Sequence, residues 1–262
     1  MIKRLCILFL ILHAIVAWPH RCFCQVEHLG NIAVFRTSDT DKVIFDIRPE
    51  FNGRPLILGS QFYVDEHGDT LYIDALRFYL TNISFTGYDN ALNTNSFLYD
   101  MADSDTHSFV IKKIPGGNYS ILQFTVGVDS IANTSGANDG DLDPVHGMYW
   151  AWNSGYIMAR LEGRASVCRT LHHAFEFHIG GYKHPFNTAR VVALRLPPTF
   201  AIGKRGIPVI SLKVDVSAFF TQNLDLAKMN NIVTPGREAS SMADKYAKMF
   251  SIETVDYLSC KK

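Results

Sequence analysis

Apolar and polar residues alternate with a period of two in nine short segments that follow one another along the chain. Side chains of a strand point alternately to opposite faces, so this period, with many β-branched and aromatic residues, predicts half-buried strands. Sequences rich in Gly, Pro, Asn and Asp separate the segments and predict turns. The pattern indicates an all-β fold, an antiparallel β-sandwich. The predicted strands are residues 43–47, 71–73, 76–85, 109–111, 119–126, 148–161, 174–179, 190–196 and 209–216.

A helical period is confined to the C-terminal region. Residues 239–250 place Met242, Tyr246 and Met249 at positions i, i+4 and i+7 behind a serine that can act as N-cap. This predicts one short C-terminal helix. Internal repeats and linkers are absent from the sequence, so residues 25–262 are interpreted as a single domain.

The N-terminus is typical of a secretory signal peptide. Lys3 and Arg4 precede an apolar run that ends near Trp18 and is too short to span a bilayer. We expect cleavage after Cys24, which makes residues 1–24 the signal peptide. A lipid anchor on Cys22 or Cys24 is the alternative. Either predicts an exported protein of the periplasm or cell surface, without a transmembrane span.

The charge balance argues against nucleic acid as a partner. The whole chain has 25 basic and 25 acidic residues, and the predicted signal peptide contains basic residues but no acidic ones. The mature protein is therefore slightly acidic, whereas proteins that bind nucleic acid present basic surfaces. Outside the leader the cysteines are Cys168 and Cys260, and a disulfide between them and two separate thiols are both consistent with the sequence.

Two of the three tryptophans stand one residue apart, in Gly147-Met-Tyr-Trp-Ala-Trp-Asn-Ser-Gly-Tyr156. If this segment is one strand, Trp150 and Trp152 lie side by side on the face that carries Met148. Core packing is the simple explanation for such aromatic residues. Near a redox metal the indoles would instead be oxidisable groups.

Metal ligation is the second chemistry that the sequence offers. The mature chain has eight histidines, none at the helical i, i+4 spacing of a zinc protease, so a site would combine different strands. His178, in Phe177-His-Ile-Gly-Gly181, is the first candidate ligand and His146 the second, ahead of His67 and His107. His172 and His173 are adjacent and would point to opposite faces of a strand.

The long polar loop 129–144 contains three alternating carboxylates, Asp139, Asp141 and Asp143. They could bind a hard cation such as calcium, form an ordinary Asp/Gly turn, or orient the tryptophan segment that follows. The chain has no Gly-x-Ser-x-Gly, Walker or Gly-x-Gly-x-x-Gly motif. We therefore expect a binding protein and not an enzyme.

The tryptophan and histidine motifs resemble those of the methanobactin-partner (MbnP-like) copper-binding proteins, which are exported bacterial proteins. Similarity extends from about Val43 to Phe250. The matching segments are residues 76–83, 124–129, 140–144, 147–156, 161–163, 177–181 and 242–250.

The resemblance implies a periplasmic or surface β-sandwich that binds one copper ion for acquisition, storage or delivery. It also implies a partner, a di-haem cytochrome c peroxidase-like enzyme that oxidises a tryptophan to kynurenine. Trp150 and Trp152 are then the candidates for modification, and His178 is the best candidate ligand. Two histidines and a modified indole would suit Cu(I), with Asp141 or Asp143 orienting the imidazoles.

One departure from the resemblance concerns the second tryptophan. Related surface proteins have Trp-x-His at the modified position, where this chain has Trp152, and His146 is the substitute ligand on proximity alone. The alternative function is a metal-free surface or carbohydrate-binding sandwich. Exposed indoles would favour that alternative, and indoles buried beside a histidine would favour copper.

Overall fold

The computed structural model describes residues 41–87, 91–93, 96–153, 155–221 and 224–259. The predicted signal peptide, the lipid-anchor candidates Cys22 and Cys24, and Cys260 lie outside these residues. The strands are β1 Lys42–Phe51, β2 Arg54–Pro55, β3 Phe62–Val64, β4 Thr70–Gly87, β5 Ala91–Asn93, β6 Phe97–Asp100, β7 Ser108–Lys112, β8 Gly117–Val126, β9 Tyr149–Trp150, β10 Gly155–Ala165, β11 Ala174–Gly180, β12 Arg190–Arg195, β13 Ala201–Ile202, β14 Ile207–Asp215, β15 Asn231–Ile232 and β16 Phe250–Leu258. The α-helices are α1 Ser130–Thr134 and α2 Arg237–Tyr246.

The strands form two sheets. The smaller sheet has the order β16-β14-β1-β2, with β7 also paired to β1. The larger sheet has the order β12-β8-β4-β10-β11-β15, and the short strands β3, β5, β6, β9 and β13 extend it. Most pairs are antiparallel, but β1 with β14 and β11 with β15 are parallel. The sheets are thus mixed.

The core consists of aromatic and aliphatic side chains between the two sheets. Phe250 of the smaller sheet meets Phe78 and Phe124 of the larger sheet edge-on, at ring-centroid distances of 5.3 and 5.4 Å. Phe45 and Phe85 form another contact across the sheets, at 6.4 Å. Edge-to-face pairs at these distances add to the stabilisation from burial. The all-β sandwich with a short C-terminal helix is confirmed.

Strand β4 is one long strand, although its sequence predicts two, because it contains a β-bulge. The pairing of β4 with β10 shifts register between Ile73 and Ala75, which is a β-bulge. An extra residue at a bulge reverses the phase of the alternation, so the buried positions change from Leu71 and Ile73 to Leu76 and Phe78. The strand itself is continuous.

Two predicted elements are wrong in extent. The segment 148–161 is a hairpin of β9 and β10 instead of one strand, because residues 151–153 form a turn. The C-terminal helix begins after Gly236, not at a serine cap, and ends at Tyr246. Residues from Phe250 onward form β16, whose β-branched residues were the signal that the helical interpretation missed.

Helix α2 packs against the larger sheet through side-chain contacts that surround Arg190. Arg190 Nε donates to Asp244 Oδ1 at 2.7 Å, and its Nη2 donates to the carbonyl oxygen of Ser240 at 3.0 Å. The buried hydroxyl of Tyr246 donates to the carbonyl oxygen of Thr188. In the part of the chain that the structure describes, no helix is long and apolar enough to cross a membrane.

Gly163 tests the packing between β10, β4 and β11. A Cβ at this position would overlap the carbonyl oxygen of Tyr72 and the ring of Phe175. We expect Gly163→Ala to lower the free energy of unfolding by about 1–3 kcal/mol, measured by urea denaturation. The control is Gly116→Ala, whose Cβ would meet its nearest atom at an ordinary 3.5 Å. Equal effects of the two substitutions would contradict the packing described.

Candidate metal site

The two tryptophans sit at the tip of the β9–β10 hairpin in different environments. Trp150 belongs to β9 and is 7% exposed, whereas Trp152 lies in the turn and is 65% exposed. Their ring centroids are 5.5 Å apart. The prediction that they are neighbours therefore holds, but the turn and not a shared strand face brings them together. Met148 is fully buried.

Trp150 packs directly on β11 at Gly180. A Cβ built on Gly180 would lie 2.6 Å from Cζ3 of the Trp150 ring, so only glycine leaves room for the indole. Gly180 is two residues after His178 in the same strand, and such residues share a face. Trp150 thus lies on the side of β11 that carries His178, next to it along the strand.

His178 is held by a carboxylate from the neighbouring strand. Its Nε2 lies 2.6 Å from Glu162 Oε1, and the same oxygen accepts a hydrogen bond of 2.7 Å from Arg160 Nε. The bond to His178, with Arg160 also contributing, holds the pKa of the Glu162 carboxyl below its usual range, although burial opposes this. The three side chains form one chain of charge-assisted hydrogen bonds.

The bond to Glu162 decides which nitrogen of His178 is free. An ionised carboxylate only accepts hydrogen bonds, so Nε2 carries a proton. In the neutral imidazole Nδ1 then holds the lone pair that can bind a metal. A carboxylate that holds the other ring nitrogen is the usual support of a metal-binding histidine. Glu162 was not predicted from the sequence as a site residue.

The loop that precedes the hairpin is fixed to it by buried hydrogen bonds. Asn133 accepts from the backbone N–H of Tyr156 at 2.9 Å and donates to the carbonyl oxygen of Val128 at 2.9 Å. The Tyr156 hydroxyl accepts from Asn138 N at 3.0 Å and donates to the carbonyl oxygen of Leu142 at 2.9 Å. The interpretation that this loop orients the tryptophan segment is consistent with these bonds.

His146 lies at a different feature of the surface. Its Nε2 is 3.1 Å from the carbonyl oxygen of Gly140, and its own carbonyl oxygen accepts from Arg77 Nη1 at 3.2 Å. The imidazole lines a cleft that also contains Asp100 and Asp105. Among the described residues, no hydrogen bond or ring contact joins His146 to His178 or to either indole.

The carboxylates of Asp141 and Asp143, in loop 129–144, accept hydrogen bonds from backbone N–H groups. Asp141 Oδ2 accepts from Leu98 N at 2.9 Å, and Asp143 Oδ1 accepts from Val145 N at 2.9 Å. The expectation that Asp141 or Asp143 orients an imidazole is therefore not met, because Glu162 on β10 takes that position at His178. Asp143 thus caps the turn that follows it, whereas Asp141 ties the loop to β6.

His172 and His173 also differ from expectation. They lie in a 3-10 turn before β11, both with a φ of 56°, and not on opposite faces of a strand. His173 Nδ1 is 2.8 Å from the carbonyl oxygen of Cys168, which is itself buried and whose thiol pKa is raised by burial. The partner proposed for Cys168 is Cys260, outside the described residues, so the disulfide stays a prediction.

Among the described residues, His178 is one candidate ligand and not a complete metal site. They contain no group of three or more His, Cys, Asp or Glu side chains arranged to hold a metal ion. They do place the His178 imidazole on the face of β11 on which Trp150 packs, through its contact with Gly180. This donor set fits one anchoring ligand for a soft or borderline transition metal and needs further ligands to complete the site.

A family model named MbnP matches residues 40–235 of the chain, well over half of its length. The chain belongs to the MbnP family. The matched region contains the Trp150–Trp152 hairpin, His178 and Glu162, and it ends before α2 and β16. The family resemblance of residues 242–250 is therefore not covered by the match.

Comparison with solved structures found MbnP from Methylosinus trichosporium, at 14% sequence identity and a TM-score of 0.47. The alignment covers 68% of this chain and 77% of that one. No curated protein matches the chain. Membership of the MbnP family therefore rests on the family model.

Tyr156 tests how the loop is fixed to the hairpin. We expect Tyr156→Phe to lower the free energy of unfolding by about 1–2 kcal/mol in urea denaturation, because Asn138 and Leu142 lose a buried partner. Tyr149→Phe is the matched control, since the ring of Tyr149 packs against Tyr156 but its hydroxyl has no such bonds in the described part. A larger loss from Tyr149→Phe would contradict this assignment.

Proposed function

We propose that this member of the MbnP family is an exported protein of the periplasm or cell surface that binds one copper ion for acquisition, storage or delivery. It acts as a binding protein and not as a catalyst. The observation that carries the proposal is the position of Trp150 on Gly180, beside His178 and its Glu162 support. Family membership supports the same function.

His178 is the anchoring copper ligand in this proposal, through Nδ1. Imidazole nitrogen suits copper, and the lone pair of Nδ1 is left free by the bond between Nε2 and Glu162. His146 is the second histidine candidate, although its imidazole lies at the cleft. The remaining coordination comes from an oxidised indole, since an unmodified indole offers only an N–H donor.

The two indoles have different roles in the proposal. Trp152 is exposed, so a large partner enzyme can approach it, whereas Trp150 is buried against β11. Their rings are close enough for an electron to pass from one indole to the other once one of them has been oxidised. A di-haem cytochrome c peroxidase-like enzyme is the proposed partner, and kynurenine is the proposed product.

A carbohydrate-binding surface module is the second candidate function. The 65% exposure of Trp152 favours it, because exposed indoles stack on sugar rings. Trp150 does not contribute to such a surface, being covered. The two candidates differ in whether His178 matters for ligand binding.

Copper content tests the principal proposal. We expect the mature protein, purified from its native host, to contain stoichiometric copper, and His178→Ala to lose it because the anchoring imidazole is gone. Copper is measured by elemental analysis, and peptide mapping on the same sample locates a mass shift on Trp150 or Trp152.

The matched control for this experiment is His67→Ala, which removes an exposed imidazole from a surface turn. It should keep both the copper and the modification. Unmodified indoles together with no copper would reject the proposal. Retention of full copper by His178→Ala would reject the ligand assignment.

Glu162→Gln tests the support of the imidazole. The substitution keeps the size of the side chain but removes the charge that holds His178 Nε2–H, so we expect copper affinity to fall by about 10–100-fold without loss of folding. The control is Glu176→Gln. It makes the same charge change at a residue on the face of β11 that carries His178. Competition titration with a chelator measures the affinity, and equal losses in both variants would show a general charge effect instead.

A further inference from the structure

Arg160 supplies most of the hydrogen bonds that hold the Glu162 carboxylate at His178. Arg160 Nε and Nη2 lie 2.7 and 2.6 Å from Glu162 Oε1, and the same oxygen lies 2.6 Å from His178 Nε2. Three nitrogen donors thus converge on one carboxylate oxygen. Two of them belong to one planar, rigid guanidinium, so Arg160 restricts the position of Oε1 more than the single bond to His178 does.

The pairing of β10 with β4 directs Arg160 away from β4. Arg160 lies directly opposite Arg77 in this pairing. Residues that are directly opposite have Cβ atoms about 4.5–5.5 Å apart on one face, and like charges there repel. Arg77 also lies opposite Asp100 of β6, on the other edge of β4, and its Nε is 2.9 Å from Asp100 Oδ2. The nearby carboxylate that remains for Arg160 is Glu162.

The pairing of β10 with β11 directs Glu162 toward Arg160. Glu162 lies directly opposite Glu176, and the two carboxylates repel each other. Arg160 lies directly opposite His178, which makes His178 a diagonal neighbour of Glu162. A carboxylate that turns away from Glu176 therefore approaches both the guanidinium and the imidazole. The register of three strands explains why these three side chains meet.

Water competes for each of these groups. The side chains of Arg160, Glu162 and His178 are 26, 22 and 19% exposed. A partly exposed ion pair with a single bond contributes little, because hydration replaces it at small cost. Two bonds from one guanidinium restrict the carboxylate more firmly than one bond from an imidazole.

We propose that Arg160 is a positioning residue of the candidate metal site. It holds Glu162 Oε1 at His178 Nε2, and through Glu162 it keeps the imidazole proton on Nε2 and the lone pair on Nδ1. Arg160 does not bind the metal itself, since a guanidinium has no lone pair to offer. Its contribution to copper binding rests on the proposed function, whereas its effect on the imidazole does not.

Nitrogen-15 NMR of the metal-free protein tests the effect on the imidazole. Arg160→Met removes the guanidinium and keeps most of the alkyl chain. At about pH 8.5, two units above the ordinary pKa of histidine, we expect the ratio of the Nε2–H to the Nδ1–H form of His178 to fall about tenfold, because a hydrogen bond to a charged partner is lost. The His178 signals are assigned by their absence from His178→Ala.

Arg164→Met is the matched control for this measurement. Arg164 lies on the same strand and face as Arg160, and its Nε is 2.9 Å from Asp74 Oδ2. The substitution therefore removes the same guanidinium from the same kind of ion pair, away from the imidazole. It should leave the ratio of the two His178 forms as in the parent.

Arg160→Lys separates positioning from simple packing. It keeps the positive charge, but offers a flexible ammonium in place of the rigid guanidinium. We expect it to retain more of the Nε2–H form than Arg160→Met does. Equal loss of that form in both variants, with a lower Tm in both, would show a packing defect and overturn the proposal.

A double-mutant cycle tests whether Arg160 acts on copper through Glu162. Arg160→Met alone should weaken copper binding about tenfold in the competition titration with a chelator. In the Glu162→Gln background the same substitution should have little further effect, because the carboxylate that it positions is already gone. Losses that add in the double mutant would overturn this action through Glu162.

The two measurements separate failure of this proposal from failure of the proposed function. An unchanged ratio of the His178 forms in Arg160→Met, or an equal change in Arg164→Met, overturns the role of Arg160 whatever the copper result is. If the ratio falls as expected but the parent protein binds no copper, the proposed function fails, and the positioning of Glu162 and His178 by Arg160 stands.

Discussion

The contact between the Trp150 ring and Gly180 is the packing interaction on which the candidate metal site depends. Because Gly180 has no Cβ, the indole can lie on β11 itself, at the position next to His178. Any larger residue at 180 would push the hairpin away from the strand. A requirement for close approach therefore explains the glycine at position 180, although a Gly-Gly pair is usually part of a turn. Gly181, with a φ of +125°, does have the backbone that a turn needs.

Two sets of hydrogen bonds give this contact a fixed geometry. In the first set, Tyr156 bonds to Asn133 and to Leu142. These bonds fix β10, the second strand of the hairpin, to the loop that precedes Trp150. In the second set, Glu162 joins His178 to Arg160 across two paired strands. Groups held by neighbouring strands of a sheet lose little conformational freedom when a ligand binds. The imidazole is thus preorganised, whereas Trp152 remains in contact with solvent.

Much of the fold could be predicted from the alternation of apolar residues, because burial of one sheet face determines it. Pairing partners could not, since the parallel pair β1–β14 joins segments far apart in the chain. Of the candidate site, Trp150, Trp152 and His178 were chosen by residue type, and Trp150 packs on the face of β11 that carries His178. Glu162 was missed because its relation to His178 arises from the register of β10 with β11. His146 was chosen on sequence proximity alone, which a loop does not preserve in space.

We propose that copper binds on the face of β11 that carries His178 and on which Trp150 packs. Anomalous diffraction at the copper edge, from crystals of the copper-loaded mature protein, tests it most directly. We expect a single strong peak at about 2.0 Å from His178 Nδ1, while Nε2 stays bonded to Glu162. A peak at the cleft that contains His146, or no ordered copper near β11, would show that His178 is not the anchoring ligand.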